Sequence, residues 1–217
     1  MNRKKQLEIL KNKTQDLYLN YKNKLLFHGW HHVNFVFGKS HEFAIDLGAN
    51  VFLVESSALV HDLDHLLGKD PTSKEVDLYR KELLESCGYS YSECIAIRSI
   101  VSQSHTSIRN ERISKEAKAL SDADTLFKIL PITLIFFTKE YLIETNISLE
   151  GLALKITSEQ GKLLNSGCYF YSKIAKLKYL DWAVQNIKLW EFIRDNIHDQ
   201  TLVELISYIE KTYMLLE

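Results

Sequence analysis

A chain of 217 residues with 46% hydrophobic content can bury a sizeable core, as one large domain or two small ones. Its net charge of −1, from 27 basic and 28 acidic residues, argues against long nucleic acids or a membrane surface as partners. Three cysteines, Cys87, Cys94 and Cys168, form neither a CxxC pair nor an even set, which points to reduced thiols in a cytoplasmic protein.

Two prolines and eight glycines leave few breakers, so long helices with short connections are expected. Met1 to Lys5 is basic but runs into Gln6, Glu8 and Lys11, so no signal-peptide core follows. The longest apolar stretch, Ile129 to Phe137, is too short to span a bilayer. Residues 2–27 place Leu7, Leu10, Leu17, Tyr21 and Leu25 among Lys, Asn and Gln, the spacing of a helix with one apolar face. His28-Gly29-Trp30 breaks it, and a second helix is expected from about 31 to 48. At about 100° per residue, Val36, Phe43 and Leu47 share a face; His32 lies near that stripe and His31 points away from it.

The third predicted helix, about 50–65, is apolar over Val51 to Val54 and Ala58 to Val60 and ends in His61-Asp62-Leu63-Asp64-His65. A helix this apolar is expected to be buried. Buried imidazoles and carboxylates need a hydrogen-bond partner, a counter-charge or a metal. Gly68 to Pro71 reads as a loop; Ser73 and Ser90 start helices four and five, the latter with a Ser-x-x-Glu capping pattern through Glu93. Helix five carries Cys94, Ile97, Ile100 and Val101 on one side, with His105 projecting onto the same side, and 107–111 reads as a turn. Helix six, about 113–130, turns Ile113, Ala117, Leu120, Ala123 and Phe127 inward. Asp124 falls within that face and asks for a partner; Asp122 falls almost opposite and asks for none. Pro131 suits the first turn of a seventh helix to about 145, and further helices follow at about 149–165, 170–195 and 199–216. No strand pattern, repeat or linker interrupts this order, so residues 1–217 read as one all-α domain.

His32, His61, Asp62 and Asp124 thus sit at core-facing positions on different helices. Two imidazoles and two carboxylates suit one divalent Mn²⁺, Fe²⁺, Co²⁺, Ni²⁺, Zn²⁺ or Mg²⁺ better than a thiolate-seeking metal. Four such ligands on an octahedral ion leave positions for water and substrate.

The order His, then His-Asp, then Asp on successive helices resembles the HD superfamily of metal-dependent phosphohydrolases. His28-Gly29-Trp30-His31-His32-Val33 is similar to the family's His-x-x-x-His-(Ile/Val) opening, Ala58 to Asp62 to its apolar lead-in and doublet, and Ser121 to Leu126 to its Asp-Ala-Asp-x-Leu helix. The resemblance covers about 28–126 and implies a helical bundle with the later helices packed on that core. It also implies one metal on His32, His61, Asp62 and Asp124, and hydrolysis of a small phosphorylated metabolite, nucleotides first. Asp62 would also orient or deprotonate the attacking water. It departs from many relatives at Phe35, where they carry Arg, and at Thr125, where they carry a basic residue.

The remaining polar residues keep two readings each. His105 is a substrate-contacting base or a core histidine; His65, one turn after His61, lines the pocket or ends a helix in water; Asp64 orients water or is solvent-exposed. His28 reads as a supporting group rather than a ligand, and His41 and His198 as surface residues. Lys69, Arg109 and Arg112 could meet a phosphate but, as loop charges, are expected in solvent. Trp182 and Trp190 read as core or oligomer contacts, with which a homodimer is compatible. Two rival functions stand. A di-iron oxygenase of the same superfamily needs two further histidines between the doublet and the last Asp, and no histidine lies between His65 and His105. A non-catalytic binding or signalling module commonly has an eroded metal set, whereas this one is intact.

Overall fold

The computed structural model describes residues 2–110 and 112–214. Met1, Glu111 at the end of the predicted turn, and Leu215 and Leu216 of the last predicted helix lie outside the described residues. Among the described residues there are eleven α-helices, one 3-10 turn and no strand. In chain order they are α1 (Arg3–Asn20), α2 (Trp30–Leu47), α3 (Val51–Leu59), α4 (Leu63–Leu67), α5 (Lys74–Ser86), α6 (Tyr91–Ser104), the turn Thr106–Ile108, α7 (Lys115–Ile129), α8 (Pro131–Thr145), α9 (Leu149–Asn165), α10 (Lys173–Asn196) and α11 (Gln200–Met214). No helix is long and apolar enough to cross a membrane among the described residues.

Most boundaries follow from local chemistry. Ser73, Ser90, Ser114, Ser148 and Ser172 each accept a bond from a first-turn backbone N–H of the helix they precede. At Ser90 the Glu93 side chain returns the bond, completing the predicted capping box. Pro131 opens α8 as expected. Gly48 and Gly68 end α2 and α4 in the left-handed region, at φ 60° and 61°.

Two boundaries differ from the sequence expectation. α1 stops at Asn20 rather than near 27; the chain then turns, and Leu25 and Phe27 point inward to anchor a loop that delivers His28. Gly29 is required there, because a Cβ would come within 2.6 Å of the Leu25 carbonyl oxygen. The helix expected over 50–65 is broken at Val60, His61 and Asp62, between α3 and α4.

The centre is α2, flanked by α7 on one side and α3 on the other. α1 covers α3 through a stripe spaced by four, Gln6, Leu10, Thr14 and Tyr18. α6 closes the gap between α3 and α7, and α10 lies against α2, α7 and α9. Val33, Val36, Phe43, Leu59, Leu63, Leu120 and Leu126 form the heart of this core and are fully buried. A second small apolar cluster, Leu152, Ala153 and Trp190, joins α9 to α10.

Candidate metal centre

Two elements bring His32, His61 and Asp62 within reach of one ion, and a third brings Asp124 beside His32. His32 comes from the first turn of α2, His61 and Asp62 from the break between α3 and α4, and Asp124 from the second half of α7. His32 Nε2 lies 3.2 Å from His61 Nε2 and 3.0 Å from Asp62 Oδ2. His61 Nε2 lies 3.2 Å from the same Asp62 oxygen, and Asp124 Oδ1 stands 3.5 Å from His32 Nε2. His31 is turned away and stacks on Phe137 with centroids 4.5 Å apart.

The helix break does chemical work at this point. A helix end leaves its last carbonyls without partners. The freed Ala58 carbonyl accepts from His61 Nδ1 at 2.8 Å; a carbonyl cannot donate, so the ring proton is on Nδ1 and the Nε2 lone pair faces the cluster. The freed Val60 carbonyl accepts from Nε of the buried Arg80, on α5, at 3.1 Å, and Arg80 is held in turn by Asp77 at 2.9 Å. His32 has no such support: its Nδ1 is buried without a hydrogen-bond partner, and its ring is held by packing against the edge of Phe127 at 4.6 Å.

The donor set fits a cation. Asp62 Oδ2 is buried and lacks a well-directed hydrogen bond, although two ring nitrogens stand beside it. Neighbouring ligands about 2.1 Å from one ion lie roughly 3.0–3.4 Å apart, which matches the separations here. Burial works to raise the Asp62 carboxyl, but His61 and His32 outweigh it and hold it well below the usual range. Burial lowers His32 despite Asp62 and Asp124, favouring the neutral ring that a metal needs. Asp124 is also held low, Lys128 offsetting its burial; Lys128 Nζ donates to Asp124 Oδ2 at 2.6 Å, leaving Oδ1 toward the cluster.

Around the cluster is a cavity of about 260 Å³ lined by His61, Asp62, Asp64, His65, His105, Asp124 and Lys128. A second cavity of about 320 Å³ shares His28, His65, His105, Thr106 and Lys128 with the first and reaches Tyr141, Gln160 and Trp190. Both cavities thus receive His65 and His105. Of the two readings of Asp64, solvent exposure is excluded: it is buried and lines the cavity, and burial and the adjacent Asp62 push its carboxyl up. His28 is buried and its Nδ1 donates to Glu144 Oε1, on α8, at 2.5 Å. Its ring stacks on His65 with centroids 3.6 Å apart. His41 and His198 are exposed and face Glu55 and Glu150.

Several site residues escaped the sequence reading. Lys128 was signalled only by standing four residues after Asp124 on one helix. Arg80, Glu144 and Gln160 lie on other elements, and no local pattern marks them. Arg109 is not a solvated loop charge but a buried partner of Asp122, and Asp122, expected on a polar face, is fully buried. Asp122 also accepts from Tyr171 N at 2.9 Å and Ser172 N at 2.7 Å, tying the start of α10 to α7. Lys69 is exposed and pairs with Glu75; Arg112 is exposed.

Comparison with curated proteins returned no match. Among solved structures, the Lin1889 protein from Listeria innocua aligns with a TM-score of 0.58 at 20% identity, over 93% of this chain and 98% of that one; the likeness is one of fold. Residues 29–128 match the family described as HD domain. The four side chains, in the order His32, His61-Asp62 and Asp124, fall inside that stretch, and residues 29–128 are an HD domain.

Proposed function

We propose that this chain is a metal-dependent phosphohydrolase cleaving a phosphoester or phosphoanhydride bond of a small phosphorylated metabolite, nucleotides first. The observation that carries the reading is the meeting of His32 Nε2, His61 Nε2 and Asp62 Oδ2, 3.0–3.2 Å apart, at the wall of a cavity. His32, His61, Asp62 and Asp124 would hold the divalent ion. When bound, it supplies an acidified water and an electrophilic contact for a phosphoryl oxygen.

The chain's own groups do the rest. His61 is kept in the ligating tautomer by the Ala58 carbonyl. Lys128 orients Asp124 and lines both cavities, so its ammonium can also meet a phosphoryl oxygen. Asp64, with its raised carboxyl, and His105 stand where an attacking water can give up a proton. His28, its Nδ1 proton held by Glu144, lines both cavities and backs His65 by stacking on its ring.

The test is a phosphate- and pyrophosphate-release screen over nucleotides and sugar phosphates with several divalent metals. On the best substrate, His61→Ala and Asp124→Ala are expected to lose metal and turnover together. Asp124→Ala protein with full metal content and wild-type turnover would overturn the reading, as would hydrolysis that survives a strong chelator.

A further inference from the structure

We propose that a third cavity, between α5 and α6, is an effector site for a small organic anion with an apolar body, and that its occupant steadies the segment carrying His61 and Asp62. The cavity measures about 340 Å³, within the range of small-molecule sites. It shares no lining residue with the two cavities at the metal cluster. The site therefore rests neither on a bound metal nor on the phosphohydrolase reading.

The lining carries more positive charge than it balances. Lys74, Arg80, Lys81 and Arg98 line the cavity, and Asp77 is the one carboxylate among the lining residues. Asp77 serves two guanidiniums at once, 2.9 Å from Arg80 Nη1 and 2.6 Å from Arg98 Nη2. Lys81 has a loose partner in Glu85 at 3.7 Å, and Lys74, one turn before Asp77, makes no ion pair among the described residues. Arg80 is 3% exposed. Burial pulls its guanidinium down, and Arg98 pushes the same way against Asp77 and Asp64. Like charges crowded at a partly buried wall repel, and a second anion relieves them. The arginine forks and the lysine suit a carboxylate or a phosphoryl group, which share that chemistry.

The rest of the lining asks for more than an inorganic ion. Asp77 meets Arg98 while Lys81 lies over the Tyr91 ring, so α5 and α6 run antiparallel. Lys74, Asp77 and Arg98 stand at the end away from the connecting turn, and Leu84 and Tyr91 at the end near it. Leu78, Tyr91 and Ile95 line the cavity while 55%, 67% and 45% exposed. An apolar or aromatic body covers them once the anionic head is seated. Arg80 links this cavity to the metal centre. Its Nε donates to the Val60 carbonyl at 3.1 Å and its Nη1 to Asp77. One guanidinium thus forms the cavity wall and holds the break between α3 and α4. An anion that joins Asp77 as counter-charge restrains Arg80, and the restraint passes to residues 60–62. A ligand that favours the closed state of a segment lowers its local opening.

Binding and amide exchange test this without turnover. Calorimetry on the full chain would use phenylphosphonate, phenylacetate, inorganic phosphate and benzyl alcohol, with wild type, Lys74→Met and Arg98→Met. Both replaced side chains are exposed, so the variants should fold. At least one of the two aryl anions is expected to bind wild type, the phosphonate and the carboxylate arms telling which head is preferred. Phosphate, which lacks the body, and benzyl alcohol, which lacks the charge, should each bind about tenfold or more weakly. Each variant should lose about tenfold in affinity for the aryl anion, the scale of a charge-assisted contact. Amide exchange over residues 58–66 should slow about threefold or more when the anion binds wild type, and stay unchanged in the variants at the same concentration. No binding of either aryl anion overturns the proposal, as does binding that either variant leaves intact. Phosphate bound as tightly as the aryl anions, or binding that leaves exchange over 58–66 unchanged, overturns it too.

Discussion

Asp122 and Asp124 stand two residues apart on one helix and do opposite jobs. Asp124 turns to His32, whereas Asp122 turns to Arg109 and the backbone of Tyr171 and Ser172. Removing one member of a buried pair strands the other charge, so Asp122→Ala is expected to cost about 3–5 kcal/mol. Urea unfolding would measure it, and metal content per folded molecule should stay at the wild-type level. A cost below about 1 kcal/mol would show that the pair behaves as a solvated one. Helical projection placed Asp124 on the inward face from sequence alone. It misplaced Asp122 because it assumes one face of a helix meets water, whereas α7 buries Ala119, Ser121, Asp122 and Thr125 as well as its apolar stripe. For Asp64 the same projection left a pocket and a solvent reading open, and its burial at the cavity decides between them.

At the scale of elements, what carries a local signal was legible. Capping serines, a proline in a first turn and glycines at helix ends act within a few residues, and α5, α6 and α8 begin at the Ser73, Ser90 and Pro131 signals the sequence showed. The break at Val60 to Asp62 has no such signal, since it contains neither Gly nor Pro. It is sustained from a distance by Arg80, which satisfies the Val60 carbonyl from α5. Arg80→Ala should therefore loosen the segment that presents His61 and Asp62. The freed carbonyl and the lost packing predict a destabilisation of about 1–3 kcal/mol. Metal affinity should fall about tenfold to a hundredfold, the scale of losing support behind a ligand. Asp77 keeps a partner in Arg98 at 2.6 Å, so a stranded carboxylate would not confuse the result. Metal titration and thermal melting on the purified variant test this; unchanged metal affinity would mean that α3 and α4 hold the break by themselves.

At the scale of the whole molecule, the HD domain supplies the candidate metal-binding groups but not all of the cavity walls. Glu144, which fixes His28, is on α8, and Gln160 and Trp190 are on α9 and α10. The dependence is also one of packing: Ala175, Ala183 and Ile187 of α10 join the same buried core as Val36, Phe43 and Leu120. On the far side, Leu10 and Tyr18 of α1 are buried in it too. The sequence led to the expectation that later helices pack on the first six, and of these α10 lies against α2 and α7. It did not disclose that they complete the cavity, since contacts between residues far apart in the chain leave no local pattern. A fragment of residues 29–128 would expose the faces of α2, α3 and α7 that α1 and α10 now cover. At roughly 25 cal/mol per Å² of apolar surface, a few hundred Å² uncovered is comparable to the whole stability of a domain this size. The fragment is expected to show helical circular dichroism without a cooperative melt, and to take up metal more weakly than the full chain. A fragment that melts cooperatively and binds metal like the full chain would show that the later helices serve the substrate cavity alone and contribute nothing to folding.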